Sequence, residues 1–142
     1  MSLLPKQAYF IPGNEISKSR RGTWYWRTNE AAKDFDAVAG IEVDGRRRTI
    51  GIEYERNPKA AARYHAIREV FECDETTDAV LYLTANDDIL YLLAMELRAM
   101  RKWIGFVLSD AFRRSLLETR TLTNSNKSEV VLLRDFLCGN KT

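Results

Sequence analysis

Asp36, Glu53, Glu55 and Lys59 are the residues whose types and spacing could do chemistry in this chain. Asp44-Gly45 is a strong short-range signal for a two-residue type I′ hairpin. Such a turn sets Val43 against Arg46, Glu42 against Arg47, Ile41 against Arg48, Ala39 against Ile50 and Ala37 against Ile52. Continued, the register brings Asp36 opposite Glu53, and Asp34 opposite Glu55 if pairing persists. Residues two apart on a strand share a face, so these carboxylates project together at the open end of the hairpin. Directly opposed Cβ atoms lie about 4.5–5.5 Å apart, where like charges repel. A divalent cation, a protein cation or a raised carboxylate pKa is the usual offset. Lys59 falls in the first turn of the helix that leaves the strand, with Arg56 before it and Arg63 one turn beyond on the same face.

Such a set suits Mg²⁺ or Mn²⁺. A held ion activates a bound water and stabilises charge on a phosphodiester oxygen, while a nearby lysine neutralises the transition state. Asp36 and Glu53 are the main candidate ligands, Glu55 a third ligand or one acting through water, and Lys59 the transition-state cation. The bland alternative is a solvated acidic strand end, because a one-residue slip or a bulge scatters the cluster.

Other chemistries have little support. His65 is the sole histidine and has no partner motif; Cys73 and Cys138 lack CxxC spacing; no GxxxxGK[ST] or GxGxxG occurs. Basic residues gather at Arg20, Arg21 and Arg27 around Trp24-Tyr25-Trp26, and at Arg46, Arg47 and Arg48 on the hairpin. Interleaved charge and aromatics suit phosphates and bases. The same residues also read as core tryptophans and a charged hairpin edge. Arg46, Arg47, Arg48, Arg56 and Arg63 are the candidate nucleic-acid contacts.

The elements that must position these groups follow in order. Residues 1–22 read as an irregular lead-in arm and 23–28 as a first, aromatic strand. Residues 36–43 and 46–55 are the hairpin. Asn57-Pro58 predicts a helix start, with the helix over 58–72 and Ala60, Tyr64, Ile67 and Phe71 on one stripe. Strands are expected at 79–84 and 103–108, and a helix over 87–101 capped by Asn86 or Asp87. A short helix is expected over 110–118 and a loop over 120–128. Residues 129–137 fit a strand or a helix, and Gly139 to Thr142 are expected to fray. Residues 89–97 are apolar nearly all round, which fits a helix under the sheet or a dimer interface. The order implies an α/β fold: a mixed sheet starting with a β-hairpin followed by βαβ units.

A length of 142 residues suits a single domain over 1–142, with a lead-in arm at 1–22, a core at 23–118 and a C-terminal extension at 119–142. With 45% apolar and 30% charged residues, global disorder is excluded. No apolar run is long enough to span a membrane, and no secretory h-region opens the chain. Two cysteines make no disulfide scaffold, so a cytoplasmic setting is expected. A net charge of +2 is too even to declare nucleic-acid binding by itself.

The combination resembles the PD-(D/E)XK nuclease superfamily across residues 23–108. Asp36 in Phe35-Asp36-Ala37-Val38 matches the acidic position on that family's second strand, and Ile52-Glu53-Tyr54-Glu55 matches its acidic third strand. Phe35 stands where the family has proline, and Glu55 where it has lysine; Lys59 is then a migrated lysine on the following helix. Glu53-Tyr54-Glu55-Arg56 followed by Lys59, Arg63 and Tyr64 is also similar to replication-relaxation-type proteins of plasmids and mobile elements. The resemblance implies a restriction-endonuclease-like core and association with DNA in plasmid replication or mobilisation. It also implies possible partners among other replication or mobilisation proteins; the apolar segment 89–97, not the resemblance, is what allows a homodimer. Mg²⁺-dependent cleavage is one expectation. A catalytically inactive DNA-binding accessory or regulatory factor is the other, and a protein-interaction domain the third class.

Overall fold

A computed structural model describes residues 7–12, 35–43 and 46–141. The strands are β1 (Gln7–Pro12), β2 (Ala37–Val43), β3 (Arg46–Glu55), β4 (Ala79–Thr84), β5 (Trp103–Leu108), β6 (Arg120–Thr123) and β7 (Val130–Leu132). The helices are α1 (Ala61–Cys73), α2 (Asp87–Glu96), α3 (Ser109–Ser115), which runs on into a 3₁₀ turn at Leu116–Glu118, and α4 (Leu133–Cys138). Among the described residues the strands form one seven-stranded sheet in sequence order. β3, β4 and β5 are parallel, joined through α1 and α2, and antiparallel pairs flank them on both sides. The fold is α/β with a mixed open sheet. No described helix is long and apolar enough to cross a membrane.

Alternation on the strands divides the core. Val38, Val80, Tyr82, Ile104 and Phe106 face α1 and α2, meeting Tyr64, Ile67, Phe71, Leu90 and Leu93. Ile41, Ile50, Leu81 and Val107 face the other way, onto Leu133 and Phe136 of α4. Gly105 has no side chain because a Cβ there would come within 2.9 Å of the Phe136 ring and 2.8 Å of the Thr121 methyl. α2 starts where Asn86 Oδ1 accepts the Ile89 N–H at 3.0 Å, a standard N-cap.

The expected hairpin register holds from Val43–Arg46 down to Ala37–Ile52. Asp44-Gly45 and residues 23–28 lie outside the described residues. Several expectations need correction. Gln7–Pro12, expected as irregular arm, pairs antiparallel with β2. α1 begins at Ala61, with Ala60 rather than Asn57 at its N-cap. Lys59 holds the connection instead: its N–H donates to the Tyr64 hydroxyl at 2.9 Å and its ammonium reaches Glu55. Arg120–Thr123, expected as loop, is a strand, and residues 129–137 divide into β7 and α4, so the C-terminal part belongs to the same sheet. Gly139 to Lys141 are tied down rather than frayed. Arg48 donates to the carbonyls of Leu137 (2.7 Å) and Gly139 (2.8 Å), and Lys141 donates to those of Arg98 and Met100.

Candidate functional site

The carboxyl end of β3 carries Glu53 and Glu55 two residues apart, on the face covered by α1. Asp36 stands just before β2, one step beyond the last paired residues Ala37 and Ile52. There the ladder passes to side chains. The Asp36 N–H donates to Glu53 Oε1 at 2.9 Å, and the Tyr54 N–H donates to Asp36 Oδ2 at 2.9 Å. Each carboxylate is thus held by a backbone donor on the opposite strand, which offsets part of their mutual repulsion. Glu53 and Glu55 are buried, while Asp36 is exposed at the mouth.

Phe35 sets where Asp36 emerges. Its ring lies over Gly51, so close that a Cβ at Gly51 would be 2.6 Å from Phe35 Cε1. The ring also stacks on Phe71 of α1, with centroids 6.1 Å apart. The aromatic wall therefore continues from the core to the residue beside the first carboxylate.

Lys59 Nζ meets Glu55 Oε2 at 2.5 Å, one helical turn away in sequence. Asp36 and Glu53 form one linked pair, and Glu55 with Lys59 forms an ion pair. Among the described residues, no group of three or more His, Cys, Asp or Glu side chains is placed to hold a metal ion together. The donors that are present are carboxylate oxygens, the chemistry that hard cations select. Mg²⁺ in particular needs only one or two carboxylates when waters complete its shell.

Below the acidic groups lie two tyrosines. Tyr64 and Tyr82 are each 1% exposed. Tyr82 pairs in register with Glu53 across the parallel β3–β4 ladder. Its ring stacks on Phe106 at 5.9 Å and meets Phe71 edge-on at 6.3 Å. Burial pushes the Tyr82 phenol far above the ordinary tyrosine range, and the charges of Glu53, Glu55, Tyr64 and Asp36 push it further the same way. It is a neutral hydroxyl at any working pH. Nothing in the isolated strand Ala79–Thr84 marked it for the site, because parallel register depends on how a helix crosses between strands.

The candidate phosphate contacts divide. Arg56 and Arg63 are exposed beside the site, and the Arg56 guanidinium lies 5.8 Å from the centroid of the Tyr54 ring, itself 43% exposed. Arg47 is exposed and pairs in register with Glu42. Arg48 is no surface residue: it is 8% exposed and spends its guanidinium on C-terminal carbonyls and, at 3.4 Å, on Asn140 Oδ1. It points to the face of the sheet opposite Glu53 and Glu55, the face it shares with Ile50 and Ile52 two and four residues on. Arg46 pairs with Val43 through its backbone, and its side chain lies outside the described residues. Asp34 also lies outside them. His65 is exposed, 3.2 Å from Glu69, and both cysteines are exposed and unpaired with each other.

A second polar centre lies at the other end of the parallel strands. Asp74 accepts from the hydroxyls of Thr76 and Thr77, each at 2.5 Å, and from Lys102 Nζ at 3.1 Å. The ammonium also donates to the carbonyls of Asp74 (2.9 Å) and Thr77 (2.7 Å). With its donors all matched to acceptors, this centre splices the α1–β4 connection to β5. Buried Asn124 does the same for the α2–β5 connection, accepting the Ile104 N–H at 2.9 Å and donating to the Lys102 carbonyl at 2.8 Å.

Comparison with protein-family models, with curated proteins and with solved structures finds no match to this chain.

Proposed function

We propose that this α/β domain has a restriction-endonuclease-like core, acts on DNA of a plasmid or mobile element, and cleaves phosphodiester bonds with Mg²⁺ or Mn²⁺. The observation that carries the reading is the reach of Lys59 to Glu55 beside the linked pair Asp36–Glu53. It gives the site an acidic pair and a cation on one face, as that chemistry requires. When bound, the metal ion would supply charge stabilisation and an activated water. Asp36 and Glu53 would hold it, and Glu55 would keep Lys59 turned inward toward the phosphate. Arg56 and Arg63, exposed beside the site, would meet the flanking phosphates.

A DNA-binding accessory factor without cleavage, working beside other replication or mobilisation proteins, is the second reading. It is favoured by the exposure of Arg56 and Arg63, which can meet phosphates whether or not the carboxylates hold a metal. Incubating supercoiled and branched plasmid DNA with Mn²⁺ separates the two. The first reading predicts nicking by the wild type that is lost in Glu53→Ala. Salt-dependent binding in EDTA with no nicking in Mn²⁺ supports the accessory factor. Neither binding nor nicking sinks both.

A further inference from the structure

The Tyr82 hydroxyl is an expense the fold does not explain. It is 1% exposed, yet no hydrogen bond ends on it among the described residues. Buried polar groups are almost always matched, and one that is not calls for a missing water, ion or functional role. Its ring alone would serve the core, since Phe106 and Phe71 contact it only through their rings. Its setting is specific. Glu53 is its cross-strand partner, and Asp36, Glu55 and Tyr64 are close enough to oppose its ionisation. Tyr64 is similar: its oxygen accepts the Lys59 N–H, but its own proton reaches no acceptor among the described residues. An acidic pair thus has under it a neutral hydroxyl with unspent capacity to donate and accept.

We propose that Tyr82 is a positioning residue of the acidic site, its hydroxyl bridged to Glu53 by a water that becomes part of a divalent cation's hydration shell. The inference rests on the metal reading given above. The water would give one hydrogen to the phenol oxygen and the other to Glu53, and the phenol proton would be left for a neighbouring carboxylate oxygen. Glu53 is thereby oriented from below, while its Oε1 is already held by the Asp36 N–H. Outer partners of this kind commonly contribute about ten- to hundredfold to metal affinity. No bond to the metal is assigned to Tyr82.

The test is Mn²⁺ titration calorimetry on the full chain, with melting in EDTA measured in parallel, for wild type and Tyr82→Phe. The phenyl ring keeps both aromatic contacts and no protein hydrogen bond is lost, so the melting temperature in EDTA should hold or rise. The Mn²⁺ dissociation constant should weaken by about tenfold or more. Equal Mn²⁺ affinity in the two proteins overturns the assignment while leaving the metal site standing. A lower melting temperature, or a variant that fails to fold, overturns it as well, by giving the hydroxyl a structural role. A wild type that binds no Mn²⁺ overturns both this inference and the metal reading, and that failure is distinguished by the silence of the wild type itself.

Discussion

Replacing Gly51 by alanine should push out the wall that supports Asp36. The new Cβ would lie 2.6 Å from Phe35 Cε1 and 2.7 Å from Cδ1 and Cζ, well inside the optimum of about 3.5–4.0 Å for carbon contacts. The Phe35 ring must retreat by about an ångström to restore that separation. It has little space, being 3% exposed and stacked on Phe71. Overpacking of this kind costs about 1–3 kcal/mol. For a chain of this size the melting temperature should fall by roughly 3–10 °C. Phe35→Leu, which removes the ring from the contact, should relieve part of the cost. The double variant should therefore be more stable than the sum of the single effects by about 1 kcal/mol. Because Phe35 directly precedes Asp36, Gly51→Ala should also loosen the Asp36 N–H bond to Glu53 and weaken any Mn²⁺-dependent stabilisation. Urea melts of the four proteins provide the cycle. A Gly51→Ala protein as stable as wild type, or strictly additive single effects, would refute the packing argument.

Asp74→Asn should cost about 3–5 kcal/mol in urea unfolding, because it leaves the Lys102 ammonium buried without its counter-charge. A loss under about 1 kcal/mol would contradict that. Burial by itself raises the Asp74 carboxyl, but hydrogen bonds from Thr76 and Thr77 and the Lys102 charge together hold it below its ordinary 3.8. A depressed carboxyl contributes stability that is complete above 3.8 and lost as pH falls through the lower folded value. Wild type should therefore lose stability more steeply than Asp74→Asn on acidification below that point, and parallel curves would exclude the linkage. Arg48→Met should release the carbonyls of Leu137 and Gly139 and speed amide exchange over α4, and under the proposed function it should leave the salt dependence of any DNA binding unchanged. Arg56→Gln and Arg63→Gln should each lower the slope of log affinity against log salt by about 1, with little change in melting; unchanged slopes would remove them from the interface.

The hairpin was legible because a two-residue turn fixes every pair that follows, from Val43–Arg46 to Ala37–Ile52. The juxtaposition of Asp36 and Glu53 came with it. The backbone donors that hold these carboxylates were not readable, because they appear only where the ladder ends. β1 is not legible locally because its pairing with β2 spans a long stretch of chain and Pro12 argues against a strand. β6 reads locally as loop because residues 120–128 are polar and turn-forming. Thr121 and Thr123 are buried, and their hydroxyls are matched by the carbonyls of Thr119 and Glu129. Arg48 looked like one of three surface arginines until the C-terminal carbonyls, far away in sequence, supplied its acceptors. For β1 and Arg48, and for β6 through its pairing with β5, the deciding partner comes from elsewhere in the fold.

Thermal melting of wild type and Glu53→Ala in EDTA, Mg²⁺ and Mn²⁺ tests the central claim most directly. The acidic pair predicts a metal-dependent rise in the wild type, about 2.7 kcal/mol at a hundredfold excess over the dissociation constant, and its loss in the variant. Identical melting with and without metal in the wild type would contradict the claim.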